Sequence, residues 1–205
     1  MRRAMIRLLP LLAPLALSGC AALAALDRAS APQDVHELRA PAEVPTGRAT
    51  GLELTVEPFA TGGAIDTESI LVRPGPTQVA YLPEARWSAP APEMLRTATV
   101  ETALRTGAFA HVGRAPLAAT GDLALVATLL DFGAVVAPGG EAATVEVTLV
   151  ARLVRERDAA VIASRTFRQA VPVPDTSAEA ILDGYSTASD AVLGELAGWL
   201  LDRAR

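Results

Sequence analysis

Thr144-Val145-Glu146-Val147-Thr148-Leu149-Val150-Ala151-Arg152-Leu153-Val154-Arg155 alternates apolar and polar residues more regularly than its neighbours. Val145, Val147, Leu149, Ala151 and Leu153 recur at every second residue, with Glu146, Thr148 and Arg152 between them. A period of two is that of a pleated strand with one buried face. Val150 and Val154 fit the polar side less well. The pattern predicts a strand over 144–157. Upstream, Pro138-Gly139-Gly140 predicts a hairpin loop, which pairs this strand with the apolar run 122–136. That run is apolar on both sides, so both of its faces are expected to be covered at least in part. Downstream, Arg157-Asp158-Ala159-Ala160 predicts a turn into a further strand over 161–171, ended by Pro172 and Pro174.

Beyond these strands the period changes to that of a helix. Ala178, Ile181, Tyr185, Ala188, Val192, Leu196 and Trp199 recur at steps of three and four, and Leu182, Leu193 and Leu200 widen the stripe. This predicts a helix over 177–204, with Thr176 as N-cap and Glu179 as the return partner of a capping box. A second helix is predicted over 92–106, introduced by Pro90 and Pro92 and closed by Gly107. Its apolar face is blurred by Thr97, Thr99 and Thr102. Short strands are predicted over 35–40, 51–57 and 109–112, and a strand pair over 68–73 and 78–82 around Pro74-Gly75-Pro76-Thr77. In the segment 51–57, Leu52, Leu54 and Val56 are expected on one face and Glu53, Thr55 and Glu57 on the other. The order of strands, helix, strands, helix predicts an α+β domain over 34–205, with an antiparallel or mixed sheet and two helices packed on one face.

The N-terminus carries a different signal. Arg2, Arg3 and Arg7 precede an apolar run from Leu8 to Leu17 broken only by Pro10 and Pro14, and Leu17-Ser18-Gly19-Cys20 follows. This is the pattern of a secretory signal peptide over 1–19. The run is shorter than the roughly 18 to 20 apolar residues that span a bilayer. Cys20, the single cysteine, resembles the acceptor of the bacterial lipobox, which implies a lipidated residue 20 on a flexible tether over 20–33. All 18 basic residues are arginine, against 23 acidic ones. Loss of the signal removes three arginines and leaves net −8 on the side chains. An acidic chain argues against nucleic acid as a partner and against electrostatic adhesion to anionic lipid, so the acyl chains supply the membrane contact.

Residues that could carry chemistry are few. His36 and His111 are far apart and lack metal-ligand spacing. Gly184-Tyr185-Ser186-Thr187-Ala188 has the outline of a nucleophile elbow, but it lies inside a predicted helix and no histidine is placed to serve Ser186. Asp122 and Asp131 read as strand-edge or solvent-facing carboxylates. No cofactor, metal or catalytic residue is expected. Arg86 and Trp87 are the candidates for partner contact. An exposed pair of this kind fits an interface hot spot. The alternative, which the usual burial of large aromatics favours, makes Trp87 a core anchor and Arg86 its solvated neighbour. Trp199 continues the terminal helix stripe and is assigned to the core.

Ile70-Leu71-Val72-Arg73, Val79-Ala80-Tyr81-Leu82, Ala85-Arg86-Trp87 and Pro92-Glu93-Met94-Leu95 resemble the ABC-type transport auxiliary lipoprotein family. The resemblance continues through Leu104-Arg105-Thr106-Gly107-Ala108-Phe109, Val161-Ile162-Ala163-Ser164-Arg165-Thr166-Phe167 and the Trp199 region. It departs at Asp34-Val35-His36, where the family carries an aromatic run. The resemblance implies a non-enzymatic, lipid-anchored periplasmic component of an ABC transporter with an MCE-domain subunit, moving lipids between the two membranes. Its role would be docking or assembly, as a homo-oligomer, and Ala21 after the lipidated cysteine favours the outer membrane. Two other functions compete: a carrier holding lipid in its own apolar cavity, which the two-faced run 122–136 permits, and an envelope hydrolase.

Overall fold

The computed structural model describes residues 33–114 and 121–204. The predicted signal peptide, Cys20 and almost all of the tether lie outside the described residues. Residues 35–205 form one compact unit. In chain order the elements are β1 (Asp34–His36), β2 (Glu53–Val56), β3 (Ala60–Thr61), β4 (Ser69–Gly75), β5 (Gln78–Trp87), α1 (Ala91–Arg105), β6 (His111–Arg114), β7 (Leu123–Val136), β8 (Ala143–Arg155), β9 (Ala160–Val173) and α2 (Ala178–Arg203). The strands make one mixed nine-stranded sheet, and the fold is α+β as the sequence predicts.

Residues 144–155 fall in β8, which sits between β7 and β9, antiparallel to both. Val145, Val147, Leu149, Ala151 and Leu153 are all fully buried. Across from them on β7 stand Ala134, Phe132, Leu129, Ala127 and Leu125. The spacing of that β7 series slips by one because Leu130 has no partner: the pairing steps from Leu129–Leu149 to Asp131–Thr148. A bulge of this kind turns the following side chains to the opposite face. It accounts for the two-faced look of the sequence, and the second face is only partly covered, with Leu130 58% exposed. A second bulge leaves Ile162 of β9 unpaired between Ala163 and Val161.

β7 also collects the N-terminal strands, parallel to itself: β2 at Leu123–Leu125, β3 at Thr128 and Leu129, and β4 at Ala134 and Val135. The hairpin partner of β4 is β5, which runs on to Trp87, well past the predicted end at 82. β2 lies between β6 and β7, so Thr55 is buried together with Leu54 and Val56. The first and sixth strands also shift from the predicted ranges, to 34–36 and 111–114.

α1 begins after Pro90 and ends before Gly107, whose φ of 66° is the left-handed conformation that suits glycine at that place. Thr99 and Thr102, which blur its stripe, are buried with their hydroxyls donating to the carbonyls of Leu95 and Ala98, each at 2.7 Å. For α2 the predicted cap is corrected by one residue. Ser177 is the N-cap and accepts from Ala180 N at 3.3 Å, whereas the Thr176 hydroxyl donates to Gly140 O. The reason is Asp175, whose carboxylate accepts from both the backbone N–H and the hydroxyl of Ser177 and fixes that residue at the helix entrance. The capping box needs an acid or amide three residues after the cap, and Ala180 stands there. Both helices pack into a single core with the sheet.

Candidate functional site

Trp87 closes β5 and is 2% exposed. Its ring meets Tyr185 edge-on at 5.3 Å and Phe132 at 5.8 Å, and those two rings are 4.7 Å apart. The Tyr185 phenol donates to Leu71 O at 2.7 Å, and burial pushes its pKa up, so it stays a neutral donor. This aromatic triad joins β5, β7 and α2 in the core. Arg86, one residue earlier, points outward and pairs with Glu68 at 2.9 Å with 38% of its side chain exposed. The structure thus separates the two contact candidates: Trp87 is an anchor, and Arg86 is the accessible member.

The remaining polar candidates are dispersed. His36 and His111 lie on β1 and β6, at opposite ends of the sheet order. Asp122 accepts from Glu53 N at 2.9 Å, and Asp131 pairs with Arg73 at 2.7 Å. A Cβ at Gly133 would collide with that Arg73 guanidinium, so the glycine makes room for the pair. Ser186 is on the exposed side of α2. Its neighbour Gly184 is there for packing: a Cβ would come within 2.6 Å of Val173 Cγ1 and 2.7 Å of Val145 Cγ2. The elbow-like motif is therefore a point of close approach between helix and sheet. Among the described residues no group of three or more His, Cys, Asp or Glu is placed to hold a metal ion. No described helix is long and apolar enough to cross a membrane.

The feature that sequence reading missed is a hollow where the exposed segment 46–50, β9 and the C-terminal end of α2 meet. It has a volume of about 1330 Å3 and is lined by Leu52, Trp199 and Leu201 together with Arg48, Arg165, Glu195 and Asp202. Glu195 is engaged by Arg165 at 3.2 Å and by Gln169 at 2.6 Å. A smaller hollow of about 230 Å3 shares Leu52 and Ala204 with it and is lined by Asp122, Arg155, Arg157, Ile162 and Arg203. The arginines come from a strand end, a turn and a helix end. No local spacing links them, so no motif could have found them.

Residues 36–197 match the family described as the ABC-type transport auxiliary lipoprotein component. The chain belongs to this family. Among solved structures, this auxiliary lipoprotein is similar to protein XCC0632 from Xanthomonas campestris, with 29% identity and a TM-score of 0.69 over 82% of this chain and 92% of that one. A second crystal structure, of an uncharacterized protein, shares the fold at 12% identity and a TM-score of 0.62, over 85% of this chain and 99% of that one. None of the curated proteins compared with it matches significantly.

Proposed function

We propose that this auxiliary lipoprotein is a non-enzymatic docking part of a transporter that moves lipids across the envelope, held to the membrane through acyl chains on Cys20. Its partners in this reading are an MCE-domain protein and the ATPase and permease chains, and it faces the periplasm from the outer membrane. The observation that carries the reading is the family match over 36–197, joined to the lipobox-like Leu17-Ser18-Gly19-Cys20. The disposition of the polar groups supports it. Asp131, Asp122 and Tyr185 are engaged in structural bonds, and the two histidines stand on strands at opposite ends of the sheet order. Arg86 on β5 is the proposed contact, with Trp87 beneath it holding the strand end rigid.

Crosslinking in intact envelopes, followed by purification of the full-length protein and identification of its neighbours, tests this. The expected neighbours are transporter subunits. Cys20→Ala should abolish fatty-acid labelling and weaken capture, because the anchor supplies the local concentration. Arg86→Glu should reduce capture while folding is unchanged. Capture without transporter subunits would overturn the docking role. Normal fatty-acid labelling of Cys20→Ala would overturn the anchor.

A further inference from the structure

We infer that the two contiguous hollows at the C-terminal end of α2 bind one anionic amphiphile, its chain along Leu52, Trp199 and Leu201 and its charged head on Arg155, Arg157 and Arg203. The site goes beyond the docking role and stands on separate observations. The first is the distribution of charge. The larger hollow is lined by two arginines and two acids, Arg48 and Arg165 against Glu195 and Asp202, so it is balanced. The smaller one is lined by three arginines and Asp122, with the Glu156 carboxylate beside Gly121 at its wall, in a chain whose net charge is −5. Within it, Arg155 is 3.1 Å from Asp158, but neither Arg157 nor Arg203 makes an ion pair among the described residues. The Asp122 carboxylate already accepts from Glu53 N. The Arg157 and Arg203 guanidinium forks, with no carboxylate at ion-pair distance among the described residues, match the oxygens of a phosphate or carboxylate.

The second observation is shape. The two hollows meet at Leu52 and Ala204, so a molecule can lie in both at once. The larger exceeds the roughly 300 to 1,000 Å3 usual for compact ligands, which suits a long chain more than a small solute. Ile162, left unpaired by the β9 bulge and 39% exposed, brings an aliphatic group to the arginine end, where head meets chain. Arginines at one end and a charge-balanced trough carrying Leu52, Trp199 and Leu201 at the other are complementary to an amphiphile. A free phosphate would use only the first part, and a neutral lipid only the second.

The test uses the full-length lipidated protein in nonionic-detergent micelles, incubated with equal amounts of phosphatidylglycerol and phosphatidylcholine and released intact in a native mass spectrometer. The wild-type protein should retain one phosphatidylglycerol, in about tenfold or greater excess over phosphatidylcholine, as expected when paired guanidinium bonds to the head are at stake. Arg157→Glu with Arg203→Glu should remove that preference. Both side chains are exposed, and an unchanged melting temperature confirms folding. Arg157→Gln with Arg203→Gln serves as the milder pair. Leu201→Gln should lower retention of both lipids. Inorganic phosphate and glycerol phosphate at millimolar concentration should fail to displace the bound lipid. Absence of retained lipid, equal retention by the charge-reversed protein, or displacement by inorganic phosphate would each overturn the inference. None of these outcomes bears on whether transporter subunits are captured, so the two proposals fail independently.

Discussion

The two helices pack into the same core and are held there by different means. α2 is attached by hydrocarbon: Ile181, Tyr185, Val192, Leu196 and Trp199 are all at most 5% exposed, and Trp199 meets Phe167 edge-on at 5.8 Å. α1 buries Met94, Leu95 and Ala98 and adds a polar attachment. Arg96 is 7% exposed, and its Nε and Nη2 donate to Val56 O at 3.2 and 2.9 Å. Thr99 and Thr102 are buried beside it with their hydroxyls turned back onto the helix's own carbonyls. A buried polar group is tolerated when its hydrogen bonds are made, and α1 makes them. A core helix therefore need not carry an uninterrupted apolar stripe.

The largest effect should follow from cutting into the apolar helix. Trp199→Ala is expected to cost about 3–5 kcal/mol, since deleting a buried aromatic removes its transfer energy and leaves a cavity. Against the roughly 5–15 kcal/mol that holds a domain together, this is a large fraction. Urea denaturation checks it. A loss below about 1 kcal/mol would mean that the α2 stripe contributes far less than its burial implies.

Arg96→Ala addresses the polar attachment. It leaves the Val56 carbonyl without its charged donor inside the protein, and the expected cost is about 1.5–3 kcal/mol. Arg96→Met keeps much of the side-chain volume and separates packing from hydrogen bonding. If Met matches the wild type in urea, the guanidinium is not what holds α1, and the contrast between the helices fails. Replacement of buried charged groups by apolar ones has proved neutral often enough to make that outcome a real test.

The same contrast governs what could be read from the sequence. The β8 period and the α2 stripe were legible because each element buries one regular face and nothing interrupts the alternation. β7 and β9 each carry one unpaired residue, Leu130 and Ile162, which shifts the period and hides which face is inside. Thr55 alternates with Leu54 and Val56, yet all three are buried on a strand paired on both sides, a fact of topology rather than of local pattern. The helix cap moved from Thr176 to Ser177 because Asp175 orders the entrance, a competition between adjacent hydroxyls that composition alone does not decide. Of the contact candidates, the burial preference of tryptophan placed Trp87 in the core. The arginines of the hollow were invisible, since 155, 157 and 203 meet only through the fold.

Two glycines sharpen the account within α2 itself. Gly184 faces Val145 and Val173 on the sheet, and Gly194 has nothing within 4 Å of an added Cβ. Gly184→Ala should therefore cost about 1–3 kcal/mol, as overpacking does. Gly194→Ala should gain up to about 1 kcal/mol through helix propensity. Opposite signs in paired melting experiments are the expected result, and equal signs would remove close helix–sheet approach as the reason for Gly184.

The smallest effect lies at the helix entrances, where the two helices again differ. α1 starts at Pro90 with no side-chain cap, whereas α2 starts at Ser177 with one. Ser177→Ala should cost about 1 kcal/mol at neutral pH, the usual worth of such a cap. Asp175 makes this end sensitive to acid. Its carboxyl is held below the ordinary value by the Ser177 hydroxyl first and the Ser177 backbone N–H second, with slight desolvation opposing. A carboxyl depressed in the folded state stabilises it above the unfolded value of about 3.9, and that contribution is lost as pH falls through the lower folded value. Asp175→Asn should accordingly be less stable than the wild type at neutral pH, with the gap closing as the solution is acidified below the folded value. Urea midpoints measured for both proteins down the acid limb decide it. A gap that persists unchanged after Asp175 is protonated would show that the charge is not what fixes Ser177, and that the cap position is set by the backbone path from Pro174 alone.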